Sequence, residues 1–382
     1  MKSMIKKLIL TALTASLCAC GSFFDKDNTL PPTPLVKFTP EAKPQVLWNR
    51  STGWGSDDNF YTYVPAVTET AIYTANNNGD IVASNKITGK TLWRASTKSP
   101  ISAGPAATQQ IVIIGTRSGD ILALQTTDGH LAWKAHTSSE ILAAPVARGH
   151  IVLVKSIDGK LSAFSATDGH ALWQYQQTEP NLILRAASAP VINNDAVITG
   201  FANGNLTKIS LHNGNLLWQQ PIAVPEGIFS IQRMIDIDAN PVVSGNRVYV
   251  ATYQGQIAAL DLLTGQLMWT HDLSSFTGMA VDNERVYITD AKSTVWAFNK
   301  HNGKLDWQQT QLEARNLSGP ALYGNTLVMG DAEGYLHWLN IQDGHFVART
   351  RVDLSGIFAA PVVDNRIIYV ITKEGQLAAY SL

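Results

Sequence analysis

A four-point register of proline, glycine, glycine and tryptophan recurs along the chain, and it constrains the fold more than any other feature. Pro105, Gly119, Gly129 and Trp133 are spaced 14, 10 and 4 residues apart, and Pro145, Gly159, Gly169 and Trp173 repeat those intervals. So do Pro65, Gly79, Gly89 and Trp93; Pro190, Gly204, Gly214 and Trp218; and Pro241, Gly255, Gly265 and Trp269. A sixth repeat keeps the register with substitutions (Met279, Ser293, Gly303, Trp307), and a seventh has Pro320, Gly334 and Gly344 but Ala348 in the tryptophan position. The eighth has Pro361 and Gly375 and lacks its last segment, which Val46-Leu47-Trp48 supplies from the other end of the domain.

Within each repeat of roughly 40 residues, apolar runs such as Ile111-Val112-Ile113-Ile114 and Ile121-Leu122-Ala123-Leu124 alternate with glycine turns. Short β-branched runs punctuated in this way read as strands, and no stretch carries a long helical stripe. Four short strands per 40-residue unit form the blade of a β-propeller. The expected fold is therefore all-β: an eight-bladed propeller of four-stranded antiparallel blades, with the last blade closed by the N-terminal strand. A chain of 382 residues exceeds the usual single core, but repeat units need only their neighbours. The prolines are expected to start the innermost strands, the glycines to supply turns, and the tryptophans to pack between blades.

The start of the sequence suggests export. Lys2, Lys6 and Lys7 precede a short apolar run from Leu8 to Leu17, too short to span a bilayer, and Leu17-Cys18-Ala19-Cys20 resembles a bacterial lipobox. In such signals the final cysteine is acylated and becomes the first mature residue. Residues 1–19 are then a lipoprotein signal peptide, 20–44 a lipidated Cys20 with a proline-rich tether, and 45–382 the propeller. Pro31, Pro32, Pro34, Pro40 and Pro44 favour extended geometry at roughly 3.1 Å per residue. No aspartate adjoins Cys20, the residue that favours inner-membrane retention in Gram-negative lipoproteins, so the periplasmic face of the outer membrane is implied. Only Cys18 and Cys20 exist, leaving the mature domain without a disulfide, thiol nucleophile or cysteine metal site. Without the signal, 26 basic residues face 30 acidic ones, a net charge of −4. Nothing in that balance suggests nucleic-acid binding.

Function in a repeat fold lies where the repeat is broken. The link from each tryptophan position to the next proline position runs 10 to 13 residues in five cases, but 17 after Trp173 and 23 after Trp218. A third long link, of 17 residues after Trp48, carries Trp54, Phe60, Tyr61 and Tyr63. The two consecutive long links should be neighbours on one face. The first holds Pro180-Asn181-Leu182-Ile183-Leu184-Arg185, and the second runs from Ile228 to Asp238. Apolar residues on exposed links pack or bind. Asp236 and Asp238 alternate, so an extended segment points both the same way, and two such charges need a cation. Arg185, Arg233 or a partner could supply it. An internal Arg–Asp network and direct partner contact are both open, and they are compatible. No histidine joins the aspartates locally, which disfavours a tetrahedral metal site.

At this point the chain resembles the BamB family, the propeller lipoproteins of the outer-membrane β-barrel assembly machinery. The resemblance covers lipobox, tether and all eight repeats, with family-like strings at residues 184–190, 236–243 and 330–338. It implies a non-enzymatic scaffold without cofactor that binds the periplasmic POTRA region of BamA, the barrel-forming subunit, and through it the rest of the assembly complex. Membrane attachment would be through the lipid, and unfolded outer-membrane proteins are a further implied partner. The family's Leu-x-Leu-Arg and Asp-x-Asp contact segments correspond to Leu182, Leu184 and Arg185 and to Asp236 and Asp238; nothing is carried over for the flanking residues 228–235.

Two rival readings remain. Pyrroloquinoline-quinone dehydrogenases share eight blades and a Thr-Gly…Trp ending like Thr264-Gly265…Trp269, but they resemble one another in a vicinal cysteine pair and calcium ligands. The mature chain has no such pair. A generic periplasmic ligand-binding propeller is the other.

Overall fold

The computed structural model describes residues 30–53, 55, 62–184 and 188–382. The chain divides after Pro32, and the unit from Thr33 to Leu382 holds the repeats. Its described strands form eight four-stranded antiparallel sheets, the architecture expected from the repeat.

The third blade shows how the repeat maps onto structure. Pro145 immediately precedes the short β10 (Val146–Arg148), which leads to β11 (Ile151–Ser156), β12 (Lys160–Ser165) and β13 (Ala171–Gln176). The first strands of successive blades lie against one another, which places them innermost. Proline just before such a strand costs no ladder hydrogen bond; Pro105 instead lies within the strand Ile101–Ala107, where the ladder register breaks between Ala103 and Ala106. The second and third strands carry the core: all six residues of β11 and five of six in β12 are buried. β13 is the outer strand and alternates exposed and half-buried positions.

The glycine–tryptophan spacing is an inter-blade lock. Trp133 donates its indole N–H to the Ala166 carbonyl of the next blade at 2.8 Å, and its ring lies over Gly169. A Cβ at that glycine would sit 2.6 Å from the ring, and its φ of +75° is one that L side chains rarely adopt. Equivalent indole bonds run from Trp48, Trp93, Trp173, Trp218, Trp269 and Trp307 to the following blade.

The eighth blade pairs β1 (Gln45–Ser51) with β32 (Gln376–Ser381), followed by β31 (Ile367–Ile371) and β30 (Val362–Asp364). Its third and fourth strands come from opposite ends of the domain, so no tight turn joins them. That accounts for Ala348: the tryptophan of blade seven would need such a turn glycine to cover. The proline-rich stretch is, from Thr33 onward, bonded to blade seven. The Glu41 amide donates to the Val347 carbonyl at 2.9 Å, and Phe38 stacks on Phe346 with centroids 5.3 Å apart.

In each blade the chain turns between strands two and three on the same face as the link to the next blade. Both expanded links, residues 177–190 and 222–241, therefore lie on one face and are adjacent.

Candidate functional site

The second link is built from the inside out. Residues 234–239 are buried throughout, and their alternation divides them. Ile235 and Ile237 face blade four, where Gly204 and Gly200 make room: a Cβ at either would lie 2.5 Å and 2.1 Å from those isoleucines. The backbone is held by Ile237 N–H to the Phe201 carbonyl, 3.3 Å, and Tyr253 N–H to the Asp236 carbonyl, 2.9 Å. Asp236 and Asp238 then point the other way, toward the first link.

There Asp236 Oδ1 accepts from the Leu184 amide at 2.9 Å. A second clasp joins the links at Asn240, whose side-chain oxygen accepts from the Ala189 amide at 2.7 Å. A third holds the start of the first link, where Glu179 accepts from the Asn203 amide at 3.1 Å. Side-chain acceptors thus take up backbone donors that would otherwise be stranded in a part-buried loop.

The carboxylates lie within the fold: Asp236 is 1 % and Asp238 8 % exposed. The cation facing them among the described residues is Lys155, at the end of β11. Lys155 Nζ donates to the Gly200 carbonyl at 2.7 Å and to Ser188 Oγ at 3.3 Å. Arg233 is exposed; Arg185, like Cys20, Trp54, Phe60 and Tyr61, lies outside the described residues. Burial pushes the Asp236 carboxyl up to about 6, the Leu184 hydrogen bond opposing it. Burial and the neighbouring Asp236 push Asp238 up to about 7. Burial also brings Lys155 down to about 8, against the pull of Glu179, Asp238 and Asp236. Asp238 and Asp236 each keep one buried oxygen without a hydrogen-bond partner. Sequence reasoning missed Lys155 and Glu179. A lysine in the apolar run Ile151-Val152-Leu153-Val154-Lys155 was the signal to read, since a charge there is buried with its strand.

The outward side of the two links carries exposed apolar side chains, beside Glu226 and Arg233. Leu182 is 45 % exposed, and the second link rises into a 3-10 turn, Ser230–Arg233, flanked by Ile228 at 91 % and Phe229 at 66 %. Gln232 Oε1 accepts from the Ile228 and Phe229 amides, 3.1 Å each, fixing that tip. From the sequence these residues stand out only as unusual on an exposed link. Leu184 is half-buried, and the structure brings it together with Asp236. No described group of three or more His, Cys, Asp or Glu side chains is placed to hold a metal.

A closed ring of eight four-stranded sheets, with two internally clasped links on one face, defines the β-propeller class. The sequence comparisons carry this to a family. The family model described as outer membrane protein assembly factor BamB matches residues 77–309 and 279–382. The chain is 41 % identical to the outer membrane protein assembly factor BamB of Pseudomonas aeruginosa over 377 residues, covering 99 % of both chains. It is 34 % identical to that of Escherichia coli K12, covering 98 % of both. The crystal structure of BamB from Moraxella catarrhalis superposes with a TM-score of 0.82 at 25 % identity, covering 89 % of this chain and all of that one. This chain belongs to the BamB family of outer membrane protein assembly factors. A quinohemoprotein alcohol dehydrogenase from Comamonas testosteroni shares the fold alone, with a TM-score of 0.72 at 12 % identity, covering 88 % of this chain and 76 % of that one.

Proposed function

We propose that this chain is a non-enzymatic scaffold of the outer-membrane β-barrel assembly complex. It binds the periplasmic POTRA region of BamA through the links at 177–190 and 222–241, and acylated Cys20 holds it at the periplasmic face of the outer membrane. The observation that carries this reading is the clasped pair of links: Leu182, Ile228 and Phe229 are exposed, while the Leu184 and Ala189 amides tie the first link to Asp236 and Asn240 of the second and Gln232 fixes the 228–229 tip. Preorganised apolar side chains on a rigid rim lose little entropy on binding. In this reading Asp236 positions Leu184, Asp238 shares that buried polar cluster, and Leu182 and Arg185 meet the partner.

Unfolded barrel precursors are a second class of partner. The outer strands expose Leu92, Leu131, Leu172 and Leu217 beside a sheet edge that no described strand covers, where an extended apolar segment can add a strand.

Affinity capture from detergent-solubilised outer membrane tests the proposal. The wild-type chain should retain BamA, and Arg185→Ala or Leu182→Ser should lose it while keeping the wild-type melting profile. Full retention by both variants would refute the assigned surface.

A further inference from the structure

The segment 33–44 is bound to blade seven by more side-chain chemistry than a passive tether needs. Its carbonyls are held by two arginines: Arg315 Nη1 donates to Thr33 O at 2.8 Å, and Arg349 Nη1 to Val36 O at 3.0 Å. Both arginines are fixed from within. Arg315, 2 % exposed, donates through Nε to the fully buried Asp331 at 2.8 Å and also bonds Glu333. Asp331 bonds His337 Nε2 at 2.9 Å, and Arg349 Nε donates to His337 Nδ1 at 3.2 Å. Phe38 stacks on Phe346, and the Arg349 guanidinium lies 5.0 Å from both rings. Thr33 adds two bonds to the Glu313 carbonyl, its amide at 3.1 Å and its hydroxyl at 2.6 Å.

The direction of the segment matters as much as its attachment. Thr33 meets Glu313 and Arg315, in the link between blades six and seven, on the face that bears the two expanded links. Glu41 meets Val347 and His345, at the opposite end of β29 (Phe346–Arg351). The segment therefore enters on the site-bearing face and runs down the outer edge of blade seven before β1 begins.

We infer that residues 33–44 are an orienting strap. Arg315 and Arg349 are its positioning residues, and it makes the chain leave for its lipid anchor from the face that carries the partner site, turning that face toward the bilayer. This rests on the reading of Cys20 as the anchor. Residues 21–32 then form the only span between anchor and strap, with a reach of at most roughly 40 Å even fully extended. A free tether from residue 21 to 44 would reach about twice as far and favour no face.

The test uses the full chain. The mature domain has no cysteine besides Cys20, so Glu374→Cys, exposed on the site-bearing face, and Asn325→Cys, exposed on the other, each give one dye site. Lipidated protein is bound to the outside of phosphatidylethanolamine–phosphatidylglycerol vesicles carrying an acceptor lipid. Energy transfer should be clearly stronger from position 374 than from 325. The difference should vanish when 33–44 is replaced by a Gly/Ser segment of equal length, and shrink in Phe38→Ser, which leaves the backbone intact. Hydrogen exchange of the soluble mature chain is the independent arm: the peptide covering 33–44 should exchange at least about tenfold more slowly than in the Gly/Ser chain. Equal transfer from both faces in the native chain, or a difference that survives both variants, would overturn the orientation. Unprotected 33–44 amides would overturn the strap itself. A native chain that does not float with the vesicles would remove the anchor reading and the orientation with it, while the exchange arm still decides the strap.

Discussion

Replacing Asp238 by asparagine should make the protein more stable at neutral pH. The side chain is 8 % exposed, and burial with a like-charged neighbour raises it from 3.8 to about 7. A carboxyl raised on folding binds a proton more tightly in the native state, so its contribution to stability is full below the unfolded value and is lost as pH rises from about 4 to 7. About three pH units correspond to an upper bound of about 4 kcal/mol at pH 8. Asparagine is near-isosteric and removes that loss, but it leaves a buried amide N–H group to be satisfied in its place, so a net gain of about 2 kcal/mol is expected. The assay is urea unfolding followed by tryptophan fluorescence at pH 5 and pH 7.5. Asp238→Asn should raise the midpoint at pH 7.5, raise it by less than half as much at pH 5, and so flatten the difference between the two. A variant less stable than wild type at pH 7.5, with the pH difference unchanged, would show that the carboxylate is net stabilising there and refute the reasoning.

Three further outcomes rest on the same geometry. Trp133→Ala should cost about 3–5 kcal/mol, through the lost inter-blade packing and the unbonded Ala166 carbonyl, read by denaturant titration. Gly169→Ala should cost about 1–3 kcal/mol in the same assay, because its Cβ meets the Trp133 ring and its φ is positive. Ile228→Ser with Phe229→Ser should leave stability within about 0.5 kcal/mol, both side chains being exposed, yet reduce BamA capture about tenfold or more.

The fold was legible because one residue pattern encodes one contact. The spacing of ten and four around Gly169 and Trp173, or Gly129 and Trp133, reflects a tryptophan of one blade covering the turn glycine of the next. Seven copies of that contact announce the ring. Link length likewise exposed the two expanded links, since an extra loop must leave the common register. What the pattern could not carry was contact between blades without a repeat. Lys155 reaches Gly200 across 45 residues and Asp331 organises arginines that grip Val36 and Thr33; neither pairing leaves a spacing signal. The alternation of Asp236 and Asp238 correctly implied a shared direction, but not that this direction was inward, because that was settled by Gly200 and Gly204 admitting Ile237 and Ile235 on the other side. The prolines between 31 and 44 argued for extended backbone, which is compatible with lying along a blade edge as well as with standing free.

The most direct measurement is a binding titration of the mature chain with the isolated POTRA region of BamA, comparing two substitutions of exposed leucines. Leu182→Asp places a charge on the clasped links, and Leu263→Asp places one on the opposite face, in the turn before β21 (Leu267–Asp272). The expected result is an affinity weakened at least about tenfold, about 1.4 kcal/mol, for the first, and an unchanged Kd for the second. Wild-type affinity in Leu182→Asp, or an equal loss in Leu263→Asp, would contradict the assignment of the grip to these links.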